Sequence, residues 1–181
     1  MKKFEEKTYE KETIYQGKIV RLEVDSVTLP DGNTSKRELI KHPGAVAVIA
    51  LTDEGKLVVV EQYRKPMEKS MVEIPAGKLE PGESPEVCAL RELEEETGYT
   101  TQKLEKITSF YTSPGFADEI VHLYFTDQLH RLEESPAGDE DEFVELMELR
   151  LEEAEEMEKE ERIHDAKTAY ALLFWKLRGQ K

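Results

Sequence analysis

The chain has 181 residues, with 40 acids against 25 strong bases and a formal net charge of −15. That length fits a single domain whose core needs no disulfide or structural metal. A charge this negative, with no cluster of five or more Lys/Arg anywhere, argues against DNA, RNA and anionic lipid as partners.

The acids are concentrated in two places. Residues 133–161 carry 15 acids against Arg150 and Lys159, and residues 80–96 carry seven against Arg91 alone. Each stretch is either a solvated face or a collector of metal ions. Cys88 is the sole cysteine, so no intramolecular disulfide can form. The segment Met1-Lys2-Lys3-Phe4-Glu5 lacks the apolar stretch of a signal peptide. The longest apolar run, Ala45 to Leu51, is far short of the roughly 20 residues that span a bilayer. A cytoplasmic protein is expected.

In chain order, residues 18–29 alternate as a strand, Pro30-Asp31-Gly32-Asn33 turns, and 35–42 returns as the hairpin partner. Ala45 to Thr52 and Lys56 to Gln62 are continuous apolar runs, the signature of strands buried on both faces. Val72 to Pro75 is short and extended. Residues 85–97 predict a helix with Val87, Leu90 and Leu93 on its apolar face and Gly98 as its C-terminal stop. Strands follow at 104–111, 119–126 and 143–149, then helices at about 150–160 and 165–178. Strands outnumber helices, an α+β pattern.

Glu92, Glu95 and Glu96 share one face of the predicted helix. Leu90 and Leu93 are expected to point the other way. Like charges one turn apart are mutually destabilising, and a hard divalent cation such as Mg²⁺ or Mn²⁺ relieves them. Upstream, Gly77 to Glu83 is a glycine-bounded loop entering the helix.

Gly77, five residues, Glu83, seven residues, Arg91-Glu92-Leu93, one residue, Glu95-Glu96, one residue, Gly98-Tyr99 resembles the signature of the Nudix hydrolases. Seven identities and two bulky apolar sites are matched over 23 residues. The resemblance implies an α/β/α sandwich around a mixed sheet, and cleavage of a nucleoside diphosphate linkage with Mg²⁺ (Mn²⁺ as alternative). It implies Glu92 and Glu96 as principal metal ligands, Glu95 as a further ligand or catalytic orienter, and the carbonyl of Ala76 as a ligand from the loop. Gly77 falls among the substrate-binding residues. Glu83, Arg91 and Gly98 are structural members of the box.

Thr112-Ser113-Pro114-Gly115-Phe116-Ala117-Asp118-Glu119 resembles the ADP-ribose pyrophosphatase branch, with Ser113, Pro114 and Gly115 near substrate. An acidic loop in that branch serves the attacking water. Glu140 is the candidate here and Glu142 the second choice. Arg64, at a strand end, could fork to a phosphate. Arg37-Glu38 resembles the pair near the adenosine end of related enzymes, and Arg64 and Arg37 are equally compatible with surface ion pairs. The implied domains are 1–42, an N-terminal strand and hairpin region that dimerises, and 43–181, the hydrolase domain. A homodimer is expected, acting on a small nucleotide sugar. Two alternatives stand: another nucleoside diphosphate sugar or dinucleotide as substrate, and a non-catalytic ADP-ribose-binding module.

Overall fold

In the computed structural model, which describes residues 3–134, 136 and 143–179, the expected hairpin forms as β2 (Arg21–Thr28) and β3 (Thr34–Lys41). They pair antiparallel from Arg21↔Lys41 to Thr28↔Thr34. At the turn, Gly32 adopts φ +87° and the Asp31 carboxylate accepts the Asn33 N–H at 3.0 Å. Glycine takes that left-handed conformation at no steric cost.

A strand that the hydropathy pattern does not announce precedes this hairpin. β1 (Lys7–Gln16) pairs antiparallel with β2, and every one of its residues is exposed. Periodicity is a signal of one buried face. A strand with no buried face carries none, and only its Thr, Tyr and Ile content favours the extended state. Lys11 binds Glu23 at 3.0 Å, and Thr8 donates to Asp25 at 2.9 Å.

The described residues divide into two compact units. The first holds residues 3–44 with Phe110–Ile120, and the second holds Ala45–Ser109 with residues 121–179. Within the first, the Ile40 N–H donates to the Phe116 carbonyl at 2.8 Å, and Lys41 binds Asp118 at 2.8 Å.

The second unit is built on β4 (Ala45–Ala50), β5 (Leu57–Arg64), β6 (Lys69–Glu73), β7 (Ala76–Lys78), α1 (Pro85–Thr97), β8 (Tyr99–Thr100), β9 (Glu105–Tyr111), β10 (Ile120–Thr126), β11 (His130–Arg131), β12 (Val144–Leu149), α2 (Leu151–Lys159) and α3 (Ala166–Arg178). The sheet β7-β4-β10-β9 is mixed, because β4 runs parallel to β10 and antiparallel to β7. A second sheet, β12-β5-β6, is antiparallel throughout. The extended piece expected at 72–75 resolves into β6 and β7 on either side of Ile74-Pro75. Proline has no N–H to donate to a ladder, yet the Pro75 carbonyl accepts from Val48 N–H at 2.9 Å and keeps the chain against β4.

The continuous apolar run of β4 is explained by helices on both sides. Val46, Val48 and Ala50 pack with Tyr124 of β10 against Cys88, Ala89 and Leu93 of α1. Ala47 and Ile49 alternate to the opposite face. There Phe125, the register partner of Ile49, meets the ring of Phe174 on α3, centroids 5.4 Å apart. The result is a helix–sheet–helix sandwich in an α+β chain. Leu93 is fully buried, and burial of a leucine contributes about 2 kcal/mol. Among the described residues no helix is long and apolar enough to cross a membrane.

Candidate active site

α1 starts where Ser84 accepts the Val87 N–H and Pro85 takes the first helical position. Proline is tolerated there because that N–H has no partner in the helix. The helix ends at Gly98, φ 66°, whose N–H donates to the Glu94 carbonyl at 2.9 Å.

Helical rotation between these ends places the carboxylates differently from the sequence expectation. The face turned inward carries Cys88, Ala89, Glu92, Leu93, Glu96 and Thr97, whereas Val87 is exposed. Glu92 and Glu96 are each only 7% exposed. The cause is backbone packing over the acids. The Ala76 N–H donates to Glu96 Oε2 at 2.9 Å. A Cβ at Gly77 would stand 1.9 Å from the Glu92 carboxyl carbon. Only a residue without a side chain lets β7 lie this close to Glu92.

One arginine ties the remaining carboxylates together. Arg91 Nε and Nη2 donate to the two oxygens of Glu83 at 2.9 and 3.1 Å, a forked pair. Its Nη1 donates to Glu92 at 2.8 Å and Glu95 at 3.0 Å. The Arg91 hydrogen bond holds the Glu83 carboxyl at about 2. The same bond pushes the arginine's own pKa up. Beneath it, Cys88 is a free thiol raised to about 12, chiefly by burial and then by Glu83.

A second ionic cluster surrounds Arg64 at the end of β5. Arg64 Nε and Nη2 donate to Glu73 Oε1 and Oε2 at 2.6 and 2.8 Å. Lys167 also binds Glu73 and reaches Asp165 at 2.9 Å. Burial pushes the Glu73 carboxyl up, but Arg64 and Lys167 outweigh it and hold it at about 2. The charge of Glu96 adds to the stabilisation of protonated Arg64, so the two clusters adjoin. Sequence reasoning singled out Arg64 but missed Glu73, Asp165 and Lys167. A signal was present: Glu73 is the one acid inside the otherwise apolar Met71 to Pro75, and a buried acid needs partners.

Four of the candidate residues belong to the first unit. Arg37 forks to Glu6, both bonds 2.8 Å, and donates to Ser35. Ser113, Pro114 and Gly115 form a turn in which the Ser113 carbonyl accepts from Phe116 and Ala117 N–H at 3.1 and 2.9 Å. Glu140 and Glu142 lie outside the described residues. Among the described residues, no three His, Cys, Asp or Glu groups stand in metal-site arrangement. Glu92, Glu95 and Glu96 nonetheless suit a hard divalent ion: they are oxygen donors, two of them shielded from solvent, with Glu92 packed against the Gly77 backbone.

The NUDIX domain family matches residues 41–172. The chain belongs to the Nudix family. Ahead of that domain, the nucleoside diphosphate sugar hydrolase N-terminal domain matches residues 6–40. The chain is 61% identical over 178 residues to the ADP-ribose pyrophosphatase of Bacillus subtilis (strain 168), covering 98% of this chain and 96% of that one. It is equally 61% identical over 176 residues to the methanol dehydrogenase activator of Bacillus methanolicus, covering 97% and 95%. A solved structure of an ADP compounds hydrolase superposes with a TM-score of 0.83 at 21% identity, over 97% of this chain and 95% of the other. That likeness establishes the Nudix fold.

Two outcomes are expected of this geometry. Gly77→Ala should fold, because the clashing atoms end a flexible side chain, but Glu92 must swing away. Loss of turnover of about 10²-fold at unchanged urea midpoint is the expected result, and wild-type turnover would show the close approach to be unimportant. Glu73 and Glu83 have folded pKa values near 2, below the ordinary 4.5. Their stabilisation is therefore present above pH 4.5 and lost as pH falls toward 2. Urea midpoints across this window should drop steeply, and less steeply in a Glu83→Gln variant.

Proposed function

We propose that the chain hydrolyses the diphosphate of ADP-ribose to AMP and ribose 5-phosphate in a Mg²⁺-dependent reaction. The observation that carries this reading is the pair of buried carboxylates Glu92 and Glu96, with Glu95 beside them and the Gly77 backbone against Glu92, in a chain 61% identical along nearly its whole length to an ADP-ribose pyrophosphatase.

Glu92 and Glu96, with Glu95 and the Ala76 carbonyl, would hold Mg²⁺ or Mn²⁺. Such an ion supplies neutralisation of the diphosphate charge and acidity to the attacking water. The chain's own groups do the rest. Glu140, or Glu142 in its place, orients the water and accepts its proton. One phosphorus–oxygen bond of the diphosphate breaks as the water oxygen bonds to phosphorus. Arg64 presents a forked donor to a phosphate, where a planar guanidinium binds two oxygens at once. Gly77 is assigned to substrate binding beside the metal ligands, and Ser113, Pro114, Gly115 and Arg37 are assigned to it on sequence likeness alone. Arg91 shares its charge among Glu83, Glu92 and Glu95 and keeps the helix acids in place without substrate.

Another nucleoside diphosphate sugar, or a dinucleotide, is a poorer account, since the sequence around Pro114 and the relative above point to ADP-ribose. A non-catalytic binder is poorer still: such a module has no use for three intact carboxylates, two of them buried. The reaction is assigned to the cytoplasm, where a lone buried thiol stays reduced. Residues 1–42 are assigned as the dimerising region and residues 43–181 as the hydrolase domain. Support for pairing comes from β1, every residue of which is exposed, Tyr9, Ile14 and Tyr15 among them.

The test of activity is a panel of ADP-ribose, GDP-mannose and nicotinamide and flavin dinucleotides with Mg²⁺, scored for AMP release where AMP can form. ADP-ribose should be turned over fastest, and activity should vanish on chelation. Glu96→Gln, nearly isosteric but uncharged, should lower turnover by about 10²-fold or more. Activity near wild type in that variant would remove Glu96 from the metal site. Light scattering should give twice the monomer mass, and a Tyr9→Glu/Ile14→Glu variant should give the monomer. A wild-type monomer would refute the dimer.

A further inference from the structure

The Arg64 cluster is built more elaborately than an ion pair at a sheet margin requires. β5 and β6 run antiparallel with Val60 opposite Glu73 and Arg64 opposite Lys69. Val60 and Arg64 are an even number of residues apart, so Arg64 and Glu73 project from the same sheet face. Their backbones are about 13 Å apart along the strand direction, and the two side chains lean toward each other to meet. It meets it with two parallel bonds, Nε to Oε1 and Nη2 to Oε2, at 2.6 and 2.8 Å. A forked pair of this kind fixes the plane and the direction of the guanidinium.

Glu73 is itself immobilised. Its side chain is only 3% exposed, and Lys167 binds Oε2 from the far side. Lys167 in turn bonds Asp165, which caps α3 by accepting the N–H groups of Lys167 and Thr168 at 3.1 and 3.3 Å. The Thr168 hydroxyl then accepts the N–H of Ile74, the residue after Glu73, at 3.1 Å. The chain of contacts closes on itself. Glu73 and Thr168 are buried, while Arg64 stays 34% exposed, and its uncommitted edge is the part that can meet a ligand. Two cations and two anions balance, so Glu73 does not leave the cluster with an excess negative charge that would repel a phosphate.

We propose that Glu73, backed by Lys167 and Asp165, is a positioning residue that sets the guanidinium of Arg64 for the diphosphate of the substrate. This rests on the reading of Arg64 as a phosphate donor. An unclamped arginine has many rotamers, and binding would have to select one of them. The clamp makes that selection before substrate arrives, and it ties the orientation of a strand-end residue to the start of the C-terminal helix.

The test is a double-mutant cycle on the full chain with ADP-ribose and Mg²⁺, recording kcat and KM separately: wild type, Glu73→Gln, Arg64→Ala and the double variant. If Glu73 acts through Arg64, Glu73→Gln lowers kcat/KM by about 10²-fold in the wild-type background. In the Arg64→Ala background the same change costs no more than about twofold, since the group it serves is gone. Lys167→Met, which keeps the aliphatic stem, should repeat this pattern, and it decides the matter if Glu73→Gln does not fold. Equal losses in both backgrounds would mean a structural role and would overturn the proposal. So would unchanged kcat/KM in Glu73→Gln and Lys167→Met alongside a loss in Arg64→Ala. Unchanged kcat/KM in Arg64→Ala would instead remove Arg64 from the phosphate and take the clamp's purpose with it.

Discussion

Glu92 and Glu96 stand one helical turn apart, and carboxylates at that spacing repel each other. The second unit is arranged to keep both nearly buried in spite of this. Glu96 accepts the Ala76 N–H, Arg91 reaches Glu92, and a glycine at 77 lets the strand close down upon them. Burial of charge is costly unless partners are supplied. Here a backbone amide and an arginine are among the partners, on a helix whose start and stop are fixed by Ser84 and Gly98.

Two ionic assemblies flank the same small region, and they differ in construction. Around Arg91 a single cation serves three carboxylates, so negative charge remains in excess. Around Glu73 two cations serve one buried carboxylate, with Asp165 restoring balance. The first leaves unspent affinity for a cation, and the second presents an ordered guanidinium. A diphosphate bridged to a divalent ion needs both kinds of surface side by side, and a chain of strongly negative net charge supplies them only locally.

Much of this was legible in the sequence because its signals are local. The apolar runs Ala45 to Thr52 and Lys56 to Gln62 mark strands buried on both faces. Gly98 marks the end of the helix, and the spacing from Gly77 to Tyr99 marks the family. β1 was not legible, since hydropathy has no pattern where no face is buried. The inward face of α1 was also misjudged. Apolar spacing favoured Val87, but β7 packs over the acidic side, and that depends on a strand pairing between Ala76 and Ala47 with no local mark. The partners of Arg64 come from β6 and the start of α3, about 100 residues apart in the chain, and only the fold brings them together.

The chain's single sulfhydryl lies beneath Arg91, fully buried, with its ionisation pushed up to about 12. Thiols react as thiolates, so Cys88 is chemically silent while the protein is folded. A cysteine introduced at an exposed position such as Glu54 or Lys65 would be the one thiol that a maleimide dye finds. The native protein thus offers a background on which fluorescent or spin probes can be attached singly, with no need to replace its own sulfur and disturb the packing under the carboxylates.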